Sequence, residues 1–129
     1  MKLFSVLLVT LAFSLMSFNS RIKKDEILYT YLEYKWDDYK TKTVHVFVSD
    51  VLPYQDWKEN SIALRNKFIS KAAEQSQIEI WSAGIEPKYY DKSVEQVKIK
   101  RQNDLNSSTR WEESYGRSVK IYYVSLYRL

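Results

Sequence analysis

The chain has no cysteine, one histidine (His45), two glycines and two prolines in 129 residues. Without cysteine there is no thiol nucleophile, no thiolate metal ligand and no disulfide, so the fold must be held by core packing alone. One histidine rules out a multi-histidine metal site and leaves a single imidazole for base catalysis. Two glycines cannot supply a phosphate-cradling loop, and no glycine-rich spacing occurs. Nothing in the sequence calls for a metal or a cofactor. His45 alternates with Val44 and Val46, which makes it first a hydrogen-bonded strand residue and only second a general base. Asp50, Glu86, Asp91, Glu112 and Glu113 are the acids from which a glycosidase-like pair would have to come, but acids this scattered usually line a solvated face.

Charge of one sign is scarce too. The formal net charge is +4, and the 16 acidic residues are interspersed with the 20 basic ones, so no nucleic-acid partner is expected. The densest basic stretch holds Lys98, Lys100, Arg101, Arg110, Arg117 and Lys120 around Trp111 and Tyr115. It keeps an anionic-polymer surface as one alternative, diluted by Asp104, Glu112 and Glu113.

What is present is apolar and aromatic. Hydrophobic residues make up 45% and charged residues 28%, the balance of a packed domain and not of a disordered chain. There are 11 tyrosines, 4 tryptophans and 5 phenylalanines, more tyrosine than a core consumes, so some tyrosines are expected half-buried at the surface. Lys2, the apolar run 3–16 and the polar Asn19-Ser20-Arg21 read as a signal peptide over residues 1–20, leaving a single domain at 21–129. Leu15 and Phe18 stand where small residues mark a cleavage site. The expectation is an exported protein, periplasmic or secreted, with an uncleaved leader as the only tie to a membrane.

Beyond the leader, residues 26–36 and 43–49 alternate as two strands of a hairpin, with Asp37 and Asp38 leading into the turn. A helix is expected over 57–75, with Ile62, Leu64, Phe68, Ile69, Ala72 and Ala73 on one face. Asp56 and Glu59 have the spacing of its capping box. Residues 78–81 read as the next strand, parallel to 43–49, followed by a turn at Ala83-Gly84. A second helix is expected within 91–116, capped at Ser93 with Gln96, although Val97-Lys98-Ile99-Lys100 also alternates as a strand would, which leaves a strand over Val94 to Arg101 as the alternative. Val94, Val97, Arg101, Leu105, Trp111 and Tyr115 are expected on one face, with a kink or break near Asn106. Residues 118–127 are apolar on both faces, which suggests a central strand. The expected fold is α/β (α+β): a two-layer sandwich of a mixed four-stranded sheet and two helices in the order ββαβαβ.

The function these features support is a small exported, non-catalytic binding or protein-interaction module; the alternative is a small secreted hydrolase using carboxylates and His45. A ligand site is expected where loops 50–55 and 84–91 meet at one edge of the sheet, bringing together Asp50, Tyr54, Tyr89 and Tyr90. Ring faces with hydroxyl tips suit a protein, a peptide or a carbohydrate.

Overall fold

The computed structural model describes residues 26–127. The expected leader lies outside them. The elements are β1 (Tyr29–Asp38), β2 (Thr43–Ser49), a short β3 (Leu52–Pro53), α1 (Tyr54–Ser76), a 3-10 turn (Ser82–Gly84), β4 (Glu86–Asp91), α2 (Val94–Ser114) and β5 (Ser118–Val124). The mixed sheet with two helices in an α+β fold stands as expected. The hairpin turn is tied by Asp38, whose carboxylate accepts from the Lys40 amide at 3.0 Å and the Thr41 hydroxyl at 2.8 Å. This is the ordinary turn chemistry of aspartate.

Register fixes the sheet order. Glu33 stands opposite Val48 on one side and Glu86 on the other, and Tyr29 opposite Pro53 and Asp91. A strand residue has one neighbour per edge, so β2 and β3 share one edge of β1 and β4 takes the other. β5 lies beside β2 and runs parallel to it, whereas β1 is antiparallel to its neighbours. The order across the sheet is therefore β4-β1-β2-β5.

The helices cover opposite faces. Leu32 and Tyr34 of β1, Phe47 of β2, and Tyr122 and Val124 of β5 pack with Trp57, Phe68 and Ala72 of α1. Tyr31, Val44, Val46 and Val48 pack with Val97 and Leu105 of α2, and Val119 and Ile121 join them. Strand side chains alternate between faces, so these are two cores, and the layers number three where two were expected. The crossovers explain it: β2 to β4 passes over β1 in one direction, and β4 to β5 passes back in the other. Right-handed connections running in opposite directions across a sheet fall on opposite faces. This also corrects the place of β5. It is an outer strand, apolar on both faces because both faces are covered.

Several local expectations change. α1 begins at Tyr54, with Pro53 at its cap position and no side-chain cap, so Asp56 and Glu59 form no capping box. The Tyr54 amide instead donates to Leu28 O at 2.7 Å. Asn60, at φ −128°, kinks the helix. Phe68 and Ala72 are buried, but Ile62 is 74% exposed. It lies about 120° around the helix from Phe68. Residues 78–81 form no ladder; the strand comes later, as β4, inside the expected loop 84–91. Pro87 is tolerated there because β4 is an edge strand. α2 runs unbroken through Asn106, and the Ser93 hydroxyl accepts from the Gln96 amide at 3.3 Å as its cap. Trp111 and Tyr115 are exposed, and Glu112 is buried in their place, bound to Arg117 Nε at 2.8 Å. Arg117 also pairs with Asp37, tying the end of α2 to β1.

Candidate binding groove

Of the four residues expected to converge, two meet. The Tyr54 and Tyr90 rings pack edge to face with centroids 4.8 Å apart. Tyr89 has a left-handed φ of 38°, where the pairing of β4 with β1 shifts register, and this turns it from its neighbour. Its hydroxyl donates to Asp91 at 3.2 Å and its ring lies 5.9 Å from Lys100 Nζ. Asp50 accepts from the Leu126 amide at 3.0 Å, which engages its carboxylate in holding the segment after β5.

Tyr54 also lines a depression of about 670 Å³ with Leu28, Gln55 and Lys58. A second candidate site lies on the α1 face, at the hairpin end of the sheet that α1 leaves uncovered. Phe47 and Tyr122, directly opposite in register, stack at 4.4 Å with 9° between planes. Tyr122 stacks on His45 at 5.8 Å, and His45 packs at a tilt of 34° against its cross-strand partner Trp36 at 5.2 Å. Four rings thus run from the buried core to the surface, and Trp36 is the outer end of the column. His45 is pinned by Tyr122, with Nδ1 and the hydroxyl 3.0 Å apart. Burial first, and Lys120 second, lower its basicity, which favours the neutral ring.

Beside Trp36 opens a groove of about 590 Å³ lined by Tyr34, Trp36, Gln77, Ile78, Glu79 and Trp81. The sequence builds its far wall simply. Gln77 ends α1 in a left-handed conformation (φ 58°), its amide donating to Ala73 O at 2.8 Å. From there Ile78 and Ile80 anchor on the core, leaving Glu79 and Trp81 exposed. Trp81 is 73% exposed and Trp36 38%. Tyr34 is held from behind at Gly84, where a Cβ would fall 2.7 Å from its ring. Glycine is needed at this close approach.

The α2 face carries a polar cleft of about 480 Å³ bordered by Tyr31, Glu33, Lys35, Lys88, Lys100 and Asp104. Burial raises the Glu33 carboxyl above its ordinary value, against the pull of Lys35 and Lys88. Tyr31 is raised in the same way, by burial and then by Glu33 and Asp104. The cleft's charges are largely matched, with Lys100 on Asp104 at 3.0 Å and Lys35 near Glu33 at 3.9 Å. His45 is on the opposite face, so the imidazole and these carboxylates do not share a site. Of the five acids considered from sequence, four are engaged apart: Glu112 with Arg117, Asp91 with the Ser93 amide at 2.8 Å, Asp50 with Leu126 and Glu86 with Lys88 at 3.6 Å. The basic stretch is likewise partly neutralised, Lys98 by Glu95 at 3.5 Å and Arg117 by two carboxylates.

Sequence reasoning missed Trp36 and Trp81 as site residues because both fell at the ends of expected strands, where tryptophan is ordinary. Among the described residues no group of acids and histidines is placed to hold a metal ion, and no helix is long and apolar enough to cross a membrane. No protein-family model, curated protein or solved structure matches the chain.

Proposed function

We propose that the protein is a small exported binding module that performs no chemistry of its own and holds its partner in the groove between Trp36 and Trp81. One observation carries this: the Trp36 indole, backed by three rings, lines the same groove as a second indole, Trp81, that is 73% exposed. Tryptophan dominates binding hot spots, because a flat ring loses little freedom when covered. Burying most of one exposed indole, on the order of 150 Å², returns about 4 kcal/mol before ordering costs. A platform that is already rigid keeps those costs low.

Export rests on the apolar run 3–16 behind Lys2. Mass spectrometry of the native protein is expected to find a new N-terminus between about residues 17 and 24. An intact Met1 in a soluble cytoplasmic fraction contradicts export. The groove is tested by screening immobilised protein against a glycan array and a random linear peptide library, with Trp36→Ala and Trp81→Ala variants in parallel. Ligands retained by the wild type and lost by a stably folded Trp81→Ala variant support the reading. Ligands that ignore both substitutions, or no ligand in either screen, overturn it.

A further inference from the structure

β1 is paired along nearly its whole length on one side, by β2 and β3, but on the other side β4 reaches only residues 29–33. Residues 34–38 have no strand against that second edge among the described residues. The chain before β4 does not continue the ladder; it coils into the 3-10 turn, where Gly84 N donates to Trp81 O at 3.0 Å and Ile85 N to Ser82 O at 3.2 Å.

The direction of the open groups follows from a neighbouring bond. The Leu32 amide donates to Ser49 Oγ at 2.8 Å, so it points to the β2 side. Backbone groups alternate along a strand, which aims the N–H and C=O of Lys35 and Asp37 at the open side. A natural sheet edge is normally blunted. β4 follows that rule with Pro87 and the irregularity at Tyr89, whereas residues 34–38 contain neither a proline nor a left-handed residue and carry only the charges of Lys35, Asp37 and Asp38 against a neighbour.

Two of the surface depressions border this same stretch, one on each face; a third, at Leu28, Tyr54 and Lys58, lies away from it. The aromatic groove includes Tyr34 and Trp36, and the polar cleft includes Glu33 and Lys35. Successive side chains of an extended segment laid along the edge would enter them alternately. We propose that the open edge of β1 receives an extended polypeptide segment of a partner as an added strand in line with β4. Its apolar or aromatic side chains fill the Trp36–Trp81 groove, and its polar or charged ones reach Lys35, Glu33 and Lys88. This rests on the binding-module reading and narrows it. A polypeptide supplies backbone donors and acceptors at the repeat Lys35 and Asp37 present, together with a two-residue alternation that matches the two depressions. A sugar ring supplies only the stacking. Main-chain bonds then give affinity and the alternate pockets give specificity.

The test is selection of a phage-displayed random linear dodecapeptide library on the wild-type protein, with counter-selection on Trp81→Ala. Selected peptides are then resynthesised with single N-methyl groups at each amide. The expected result is enrichment of extended sequences alternating apolar and polar residues. Their binding falls tenfold or more on methylation at every second amide and little at those between. Enriched peptides indifferent to N-methylation, or methylation effects without alternation, overturn strand addition. So does the absence of any enriched linear peptide. A glycan from the array lost with Trp81→Ala while no peptide is selected overturns strand addition but leaves the groove reading standing; no ligand in either screen removes both.

Discussion

Phe68 shows how far a single position can be read. It lies at the middle of the apolar stripe of α1 and is fully buried between the sheet and its own helix. Phe68→Ala should lower unfolding stability by about 3–5 kcal/mol, measured by urea denaturation. A loss below about 1 kcal/mol would mean that the core does not close over this residue. Glu33 is the opposite case, a residue that costs stability. Burial holds its carboxyl above the ordinary value, so between the unfolded and folded pKa the native state binds more protons than the unfolded chain. Its contribution to stability therefore falls as pH rises through that window. Glu33→Gln should raise the melting temperature at pH 7, and the difference should shrink to nothing below about pH 4, where both states carry the protonated acid. An unchanged or lower melting temperature at pH 7 contradicts this. The surplus of tyrosine also resolves residue by residue. Tyr31, Tyr34 and Tyr122 are buried, Tyr29 and Tyr54 half-buried, and the other six exposed.

Helix ends were only half legible. Asp56-x-x-Glu59 and Ser93-x-x-Gln96 have the same spacing, yet only Ser93 caps a helix. The difference is tertiary. The chain enters α1 straight from β3, with Pro53 at φ −61° and the Tyr54 amide already bound to Leu28, so the helix starts before Asp56 is reached. Ser93→Ala should accordingly cost about 1 kcal/mol by chemical denaturation, and a neutral effect would show that the cap contributes nothing. At Asn106 propensity was overruled. Asn106, Ser107, Ser108 and Thr109 together disfavour helix by about 2 kcal/mol. Burial of Leu105 returns about the same, and the Arg117 pairs with Glu112 and Asp37 fix the end beyond them. Residues 78–81 failed for a related reason. Ile78 and Ile80 do point inward as a strand's would, but they anchor a segment that has no neighbouring strand.

At the scale of the molecule, composition and element order gave the α+β class, but strand order was beyond a single sequence. Residues 118–124 are apolar on both faces, a pattern that records cover above and below and not a place in the middle of the sheet. Half of one edge of β1 is left unpaired, between an aromatic groove and a polar cleft, because β4 pairs only as far as Glu33. No local pattern encodes such an edge, since it arises where β4 stops short. The most direct measurement is amide hydrogen exchange, followed by NMR, at Lys35 and Asp37 with and without a selected linear peptide. Both amides, open in the free protein, should slow by tenfold or more in the complex, while the already paired amides of β2 change little. Unchanged exchange at Lys35 and Asp37 in a saturated complex would contradict it.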